Sequence, residues 1–226
     1  MNGQKYQIEQ LAGIVLCGGM SRRMGRPKAD LPFGKESLLQ RVVNRLATVT
    51  KRIVLVTAQN QPIQTISSTA DLTFVQDELE HAGPLVGLQI GLKTLLSDPT
   101  SPVAAYVTSC DVPFLKPEFI SALFRQLGDN DVVVPRDDRF VHPLAAVYRL
   151  SVSQHISSLI QTGERKPRAL FEHVATLEVP TRELRDVDPE LATLTNLNTP
   201  HDYRAALSRA GLDLPSWVQN EEKGHG

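Results

Sequence analysis

Short apolar runs alternate along the chain with segments in which apolar residues recur every three or four positions. The apolar runs are rich in β-branched residues, a composition typical of strands buried on both faces of a parallel sheet. Before Pro135 they predict five strands, at residues 12–16, 52–57, 72–75, 104–109 and 131–134. The alternation of strand and helix predicts an α/β fold, a three-layer α/β/α sandwich on a Rossmann-like, mostly parallel sheet.

Helical spacing between these runs predicts three helices. Their apolar positions are Leu38, Leu39, Val42, Val43 and Leu46; Leu85, Leu88, Leu92 and Leu95; and Phe119, Leu123 and Leu127. Pro84 and Pro117 stand where the second and third helices should begin, a favourable place for proline. The pattern therefore predicts one helix after each of the first, third and fourth strands.

After Pro135 the alternation is less regular. It predicts strands at residues 144–148 and 176–179, a helix ending near Gly163, a short helix from residue 169 and a last helix from Pro200 to about residue 210. A chain of 226 residues is long enough for one well-buried α/β domain. We expect a single domain over residues 1–212 and a polar tail over residues 213–226.

The first predicted strand leads directly into a segment rich in glycine and arginine. It reads Leu16-Cys17-Gly18-Gly19-Met20-Ser21-Arg22-Arg23-Met24-Gly25-Arg26-Pro27-Lys28. Glycines let backbone N–H groups approach phosphate oxygens, and the cationic side chains neutralise phosphate charge. The spacing fits neither a P-loop nor a dinucleotide fingerprint, because Arg26 follows Gly25 and the first two glycines are adjacent. The segment therefore predicts a polyphosphate-binding loop of another class.

Further polar residues stand at the ends of the later strands. Thr57, Asp77 and Asp111 end or follow the second, third and fourth predicted strands. Ligands of open α/β sheets bind beyond the carboxyl ends of the strands, so these residues and the glycine loop should face one crevice. Asp111 is the candidate metal ligand, because Mg²⁺ takes one or two carboxylates and leaves its other positions to phosphate and water. The alternative is that Asp111 only caps the turn before Val112-Pro113.

The glycine segment matches the nucleotidyltransferase superfamily, and its form G-G-x-S-x-R-M-G-x-x-K most closely resembles the molybdenum cofactor guanylyltransferases. Other segments match in the same order: Gln76-Asp77, Gly83-Pro84-Leu85-Val86-Gly87, Cys110-Asp111-Val112-Pro113, His142-Pro143, Gly163-Glu164-Arg165 and Asn196-Leu197-Asn198-Thr199-Pro200. The resemblance implies a fold of the nucleotide-diphospho-sugar transferase type. It also implies a nucleotide-binding half at about residues 11–115 and an acceptor-binding half at about residues 116–212.

The resemblance assigns roles to individual residues. Lys28 would bind the triphosphate, Asp111 would hold Mg²⁺ and Arg22 would clamp phosphate during catalysis. The remaining nucleotide contacts would come from Leu16, Cys17, Gly18, Gly19, Ser21, Arg23, Thr57, Asp77 and Gly83. Which of the two arginines holds phosphate is open, and the other could pair with an acid such as Asp30.

The resemblance also places five residues at the acceptor. They are His142, Arg165, Lys166, Asn196 and Asn198. His142 could instead be an ordinary polar residue at the start of a strand, and Asn198 could be the N-cap of the last helix. Neither of these structural roles requires a bound ligand.

The implied reaction is transfer of GMP from GTP to the phosphate of molybdopterin, with release of pyrophosphate. That phosphate has a second pKa of about 6, so its oxygen needs no general base at neutral pH. Gly18 and Gly19 leave room for a purine, whereas Thr57 stands where related guanylyltransferases carry asparagine. The alternatives are a transferase that uses CTP or a sugar-phosphate acceptor, and a nucleotide-binding homologue without turnover.

Composition limits the partners. A net charge of −1 argues against a nucleic-acid groove or a polybasic membrane surface. Residues 1–10 lack the apolar core of a signal peptide, and no apolar run reaches the roughly 18 residues of a spanning helix. We therefore expect a cytoplasmic protein without a nucleic-acid or membrane partner. The resemblance implies that its partners are GTP and molybdopterin, together with molybdenum insertion proteins and recipient molybdoenzymes.

The two cysteines are expected to be reduced neighbours. Cys17 and Cys110 end the first and fourth predicted strands, which are adjacent in the doubly wound order 3-2-1-4. We predict two thiols close together at the rim of the nucleotide site, packed as small apolar side chains.

Overall fold

The computed structural model describes residues 10–17, 27–62, 64–77 and 83–215. In chain order the strands are β1 (Leu11–Leu16), β2 (Pro32–Phe33), β3 (Glu36–Ser37), β4 (Arg52–Ala58), β5 (Asp71–Asp77), β6 (Ala104–Ser109), β7 (Val132–Arg136), β8 (Ala146–Arg149) and β9 (Thr176–Pro180). The α-helices are α1 (Leu38–Leu46), α2 (Pro84–Leu96), α3 (Pro117–Arg125), α4 (Ser153–Gln161) and α5 (Pro200–Arg209).

Seven strands form one sheet in the order β5-β4-β1-β6-β8-β7-β9, and β2 and β3 form a separate small hairpin. Pairing is parallel along β5-β4-β1-β6 and between β7 and β9, whereas β8 is antiparallel to both β6 and β7. The predicted mostly parallel sheet and the order 3-2-1-4 of the first four long strands are confirmed. In the described sheet, β8 is the one strand that runs against the others.

Helices cover both faces of the sheet. The apolar residues of α1 and α3 join one buried cluster, and those of α2 and α4 join a second cluster on the other face. The five apolar positions predicted for the first helix are the five buried residues of α1. The predicted three-layer arrangement is therefore confirmed, with α5 packed against the β2–β3 hairpin in a third, smaller cluster.

The structure corrects several predicted elements. The strand expected at residues 72–75 is not buried on both faces: β5 is an edge strand, and Phe74 is 51% exposed. Leu127 is buried but follows the end of α3, and the segment expected to be a short helix is the 3-10 helix Pro167–Glu172. Apolar spacing alone does not reveal strand order or helix type, which explains these differences. Within the described ranges, no helix is both long and apolar enough to cross a membrane.

Two glycines let α2 pack closely on β1. A Cβ at Gly91 would lie 2.7 Å from Ile14 Cγ2, closer than two carbon atoms can approach. Ile14 cannot easily move away, because it is buried and β-branched and so is stiff at χ1. At Gly87, one turn earlier, a Cβ would meet the end of the Leu16 side chain at 3.3 Å. The close approach of α2 to the sheet therefore depends more on Gly91 than on Gly87.

We expect Gly91→Ala to lower the free energy of unfolding by up to about 2 kcal/mol. Overpacking costs about 1–3 kcal/mol, and the better helix propensity of alanine returns about 1 kcal/mol. Gly87→Ala is the matched control and should be neutral or slightly stabilising, because the end of Leu16 can shift. Urea denaturation of both variants is the measurement, and equal stability of the two would contradict this packing argument.

Candidate active site

The parallel strands β5, β4, β1 and β6 bring their carboxyl ends to one edge of the sheet. Asp77, Thr57, Cys17 and Asp111 lie at these four ends, as predicted. Gly18, Gly19, Ser21, Arg22 and Arg23 lie outside the described residues. Leu16, the last residue of β1, is buried and packs against the helix that begins after Gly83.

Asp111 is the centre of a network of side chains at this edge. It is 6% exposed. Its Oδ2 accepts a hydrogen bond from Lys28 Nζ at 2.6 Å. Its Oδ1 accepts from the Ser109 hydroxyl and from Asn196 Nδ2, the latter at 3.1 Å. The carboxylate thus binds two side chains from distant parts of the chain, Lys28 and Asn196, in addition to the nearby Ser109, rather than only closing its own turn.

Lys28 joins the network from the segment that follows the glycine loop. It lies in a 3-10 turn, Lys28–Asp30, held in place by the buried residues Ala29 and Leu31. Besides Asp111, Lys28 Nζ donates to Asn198 Oδ1 at 2.9 Å. The ammonium group is therefore held at the carboxyl edge between a carboxylate and an amide oxygen.

The segment Asn196-Leu197-Asn198 supplies two amide side chains because exposed and buried residues alternate along it. Leu197 is fully buried beside the β2–β3 hairpin, and its backbone N–H donates to the Asp111 carbonyl at 3.0 Å. Asn196 and Asn198, on either side of it, are exposed and reach Asp111 and Lys28. The burial of one leucine thereby positions both amides at the network.

Asn198 is not the N-cap of the last helix, contrary to one of the two expectations for it. The N-cap of α5 is Thr199, whose side chain accepts from Asp202 N, and Asp202 closes a capping box. The Asn198 side-chain oxygen is bound to Lys28 instead, while its backbone N–H donates to Asp202 Oδ2 at 3.0 Å. Pro200 is in the first turn of the helix, as predicted.

Sequence reasoning missed Ser109, the last residue of β6. Its hydroxyl donates to Asp111 and lies 3.3 Å from Asn196 Nδ2, so it links the two. The available signal was its position two residues before Asp111, at the carboxyl end of a buried strand.

The Asp111 carboxylate is an oxygen ligand of the kind that a hard cation takes, and the Lys28 ammonium beside it suits the phosphate ligands of such a cation. The carboxylate is the single acidic group in the network. It accepts from the Ser109 hydroxyl and from Asn196 Nδ2, whereas the amide oxygen of Asn198 accepts from Lys28. Among the described residues, no group of three or more His, Cys, Asp or Glu side chains could hold a metal by itself. This set fits Mg²⁺, which keeps phosphate and water as most of its ligands.

The two expected base or ribose contacts differ in their surroundings. Thr57 is buried, and its Oγ1 donates to the Val75 carbonyl at 3.4 Å, across to β5. The hydroxyl of Thr57 is therefore hydrogen-bonded to the backbone of the sheet. Asp77 is half-buried at the carboxyl end of β5. The nucleotide contacts expected of Thr57 and Asp77 stay predictions.

The two cysteines are neighbours, as predicted. Both are free and buried in the cluster beneath α1 and α3. A hydrogen bond with Cys110, together with burial, raises the pKa of the Cys17 thiol well above its usual range. A thiol that stays protonated is a poor nucleophile, so Cys17 acts here as a small packing residue.

Gly83 and Arg165 are in direct contact. Gly83 has φ +79°, and a Cβ there would lie 3.0 Å from both Cβ and the carbonyl oxygen of Arg165. The same carbonyl accepts from Leu85 N at 3.2 Å, so the turn at Arg165 closes the start of α2. Gly83 is therefore required by packing, whatever it contributes to nucleotide binding.

The predicted acceptor residues Arg165 and Lys166 share a carboxylate cap. Glu164 Oε1 accepts from the backbone N–H of both residues, at 2.7 and 2.8 Å. The Arg165 guanidinium donates to the carbonyl oxygens of Ile160 and Glu164, whereas Lys166 is exposed. Arg165 is thus partly engaged by its own turn, and the described structure shows no hydrogen bond or ion pair between this turn and His142.

His142 lies in the loop between β7 and β8. Its Nε2 lies 2.8 Å from Asp137 Oδ2, and its backbone N–H donates to the Pro135 carbonyl at 2.9 Å. Asp137, which sequence reasoning did not single out, therefore orients the histidine. The expectation that His142 contacts the acceptor stays a prediction.

A large open groove of about 1090 Å³ lies elsewhere, between α1, α3 and the segment around residues 187–192. Its lining includes Arg45, Arg125 and Arg209 but none of the residues of the Asp111 network. Size alone does not identify the site, because the chemically organised residues are at the carboxyl edge of the sheet.

The chain is similar to known proteins over most of its length. Residues 13–179 match the model of a family described as the MobA-like NTP transferase domain. A Mycobacterium avium protein named probable molybdenum cofactor guanylyltransferase is 37% identical over 206 residues, which cover 89% of this chain and 98% of that protein. A Methanosarcina mazei protein of the same name is 32% identical over 208 residues, which cover 88% and 91%.

Solved structures agree in fold. The molybdopterin-guanine dinucleotide biosynthesis protein A of Archaeoglobus fulgidus is 25% identical with a TM-score of 0.71, covering 88% of this chain and 98% of that one. The 2-C-methyl-D-erythritol 4-phosphate cytidylyltransferase of Thermus thermophilus is 13% identical with a TM-score of 0.64, covering 88% and 98%. The latter shows the shared fold, which is the nucleotidyltransferase fold expected from the sequence.

Proposed function

Because the chain belongs to the MobA-like NTP transferase family, we propose that it is a molybdenum cofactor guanylyltransferase. The reaction is attack of the terminal phosphate of molybdopterin on the α-phosphorus of GTP, with release of pyrophosphate. The observation that carries the proposal is the network of Lys28, Asp111, Asn196 and Asn198 at the carboxyl edge of the sheet. The network supports the proposal because a cation and a buried carboxylate lie at the carboxyl ends of the strands, where ligands of open α/β sheets bind.

Catalysis in this proposal consists of positioning and charge neutralisation. A phosphate monoester is largely ionised at neutral pH, so no side chain has to remove a proton from it. Lys28 binds the triphosphate as a point charge, exchanging its Asp111 partner for phosphate oxygens. Asn196 and Asn198 hold the carboxylate and the ammonium in place.

Asp111 would hold Mg²⁺, with the hydroxyl of Ser109 and the amide of Asn196 orienting the carboxylate. When bound, Mg²⁺ neutralises charge that develops on the phosphate oxygens. Arg22 and Arg23 would add cationic contacts to the phosphates from the glycine loop.

The proposal divides the domain into a nucleotide-binding half, at about residues 11–115, and an acceptor-binding half, at about residues 116–212. Gly18, Gly19 and Asp77 would contact the base and ribose, and His142 and Lys166 would contact the acceptor. It places the protein in the cytoplasm, where thiols such as Cys17 and Cys110 stay reduced. Molybdenum insertion proteins and recipient molybdoenzymes are the protein partners expected for such a product.

The test is pyrophosphate release with molybdopterin as acceptor and GTP, CTP, ATP or UTP as donor, each with Mg²⁺. We expect GTP to be the preferred donor by at least about tenfold in kcat/KM, a difference of about 1.4 kcal/mol. CTP used as well as GTP would contradict the guanylyl assignment and leave a related transferase. Release only with a sugar phosphate as acceptor would contradict the assignment of molybdopterin. Tight nucleotide binding without turnover with any acceptor would indicate a nucleotide-binding homologue.

A further inference from the structure

The loop of residues 137–142 presents an exposed aromatic side chain. Phe140 is 65% exposed, more than the other exposed large apolar residues of the described chain, Phe74 and Leu96. It follows β7 and lies between Asp137 and His142, whose side chains are hydrogen-bonded to each other. Single exposed apolar residues are common on surfaces, so the question is whether this loop is built to hold the ring in place.

The loop is fixed by hydrogen bonds from both ends. Asp137 Oδ1 accepts from the backbone N–H groups of Arg139 and Phe140, at 2.8 and 2.7 Å. The Asp137 N–H donates back to the Phe140 carbonyl at 3.0 Å, so Phe140 is tied through both its N–H and its C=O. Asp137 Oδ2 binds His142 Nε2 at 2.8 Å. The aromatic residue is therefore held by a closed turn rather than a free loop.

The hydrogen bonds that the Asp137 carboxylate accepts persist over a wide pH range. The hydrogen bonds from the backbone of Arg139 and Phe140, followed by that from His142, lower the pKa of Asp137 to about 2. The carboxylate thus remains ionised, and keeps its acceptor role, throughout the neutral range.

The register of the sheet sets the loop beside the Asp111 network. Val147 of β8 pairs with Tyr106 of β6 and with Val133 of β7, so Tyr106 and Val133 are level. Three residues later, Arg136 is level with Ser109, and the loop therefore begins level with Cys110, one residue before Asp111. One strand separates β7 from β6, so the lateral offset is two strand spacings, about 10 Å.

We propose that Phe140 is a specificity-determining residue that stacks against the pterin ring of the acceptor. The inference rests on the proposed function, which puts the acceptor phosphate beside Asp111 and Lys28. The pterin is attached to that phosphate through a short arm, so a pterin that extends toward β7 would reach a distance comparable to the offset of the loop. A planar heterocycle is the kind of group that stacks on an exposed phenylalanine.

The rigid turn makes this contact effective. An aromatic side chain that is already ordered loses little freedom when the ligand binds, so most of the stacking energy appears as affinity. Stacking of two rings changes affinity by about three- to tenfold. Phe140 would thus favour an acceptor with an aromatic ring over a phosphate on a non-aromatic skeleton such as a sugar.

The experiment compares Phe140→Leu, which keeps an apolar side chain but removes the ring, with Phe140→Trp, which keeps a ring. Steady-state kinetics with GTP and molybdopterin should show a KM for molybdopterin raised by about three- to tenfold in Phe140→Leu. The KM for GTP and kcat should be unchanged, and Phe140→Trp should resemble the wild type. Phe74→Leu is the matched control, because Phe74 is also exposed but lies on β5, the strand at the opposite edge of the sheet.

A second readout does not depend on turnover. Free pterin is fluorescent, and the saturation of its quenching on titration with protein measures pterin binding, which the comparison of variants then assigns to the ring. We expect saturable quenching with the wild type and with Phe140→Trp, and weaker binding with Phe140→Leu. Loss of quenching in Phe74→Leu as well would overturn the assignment to Phe140.

The outcomes separate this inference from the proposed function. Transfer of GMP to molybdopterin by the wild type, with an unchanged acceptor KM in Phe140→Leu, would overturn the stacking proposal and leave the function intact. Equal loss in Phe140→Leu and Phe140→Trp, or a parallel rise in the KM for GTP, would show a role in loop structure and also overturn it. Failure of the wild type to use molybdopterin would defeat the proposed function itself.

Discussion

Replacement of Asp111 by asparagine is expected to lower kcat/KM for GMP transfer by about 10²-fold or more while the protein stays folded. The substitution removes the single negative charge of the network and keeps the shape of the side chain. A neutral amide is a weak ligand for Mg²⁺, so charge on the triphosphate would no longer be balanced at that point.

The fold should tolerate this change. An asparagine at residue 111 can still accept from Lys28 through its oxygen. Its amide nitrogen would then face Ser109 and Asn196, and the Ser109 hydroxyl can turn to accept and the Asn196 amide can flip. We expect a loss of about 1 kcal/mol in the free energy of unfolding, the usual net contribution of one hydrogen bond.

The measurement is pyrophosphate release as a function of Mg²⁺ concentration, combined with thermal unfolding of the same preparations. Asp129→Asn is the matched control, since Asp129 is exposed and lies in the turn before the amino end of β7, whereas the network lies at the carboxyl edge of the sheet. Release by Asp111→Asn at the wild-type rate and with the wild-type Mg²⁺ dependence would contradict the role of Asp111.

Replacement of Lys28 by methionine is expected to cost a similar amount, about 10²-fold in kcat/KM for GTP. Methionine keeps most of the length and the apolar stem of lysine but has no charge, so the phosphates lose a cation and Asp111 loses its ion pair. Lys28→Arg should be intermediate, because it keeps the charge but its planar guanidinium cannot occupy the place of a compact ammonium between Asp111 and Asn198.

The double variant Lys28→Met/Asp111→Asn gives the sharper test. Residues that act as a unit show strongly non-additive effects. Because Lys28 and Asp111 are in direct contact, the double variant should lose at most about tenfold more than the worse single variant. Lys35→Met, at an exposed turn residue, is the control. The assignment of a shared role to Lys28 and Asp111 would be contradicted if the loss of kcat/KM in the double variant equalled the product of the two single losses. Wild-type kinetics in Lys28→Met would contradict it as well.

Local patterns in the sequence were sufficient for the long strands of the parallel sheet, for most of the helices and for the chain's family. The apolar positions of α1 repeat at helical spacing, and the first four long strands carry the apolar runs of a parallel sheet. The position of Lys28 and Asp111 relative to those strands followed from the rule that ligands bind at carboxyl ends. The neighbouring thiols of Cys17 and Cys110 followed from the same strand order.

Other features depend on which distant segments meet. The direction of β8 and the exposure of β5 are set by the order of strands in the sheet, which apolar content does not encode. Thr57 has its hydroxyl in the sheet because β5 lies beside it. The guanidinium of Arg165 donates hydrogen bonds to carbonyl oxygens of its own turn, and that turn packs against Gly83.

The chain sequence by itself determined the α/β architecture, the family and the two charged residues at the centre of the site, because these rest on local periodicity and on motifs within short segments. Only the tertiary structure decided that Ser109 completes the partners of Asp111 and that Asn198 binds Lys28 while Thr199 caps α5. The physical reason is that a side chain such as that of Asn198 suits either role by its chemistry. The choice is made by Leu197, whose burial beside β2 and β3 brings its neighbours to a lysine 170 positions earlier in the chain.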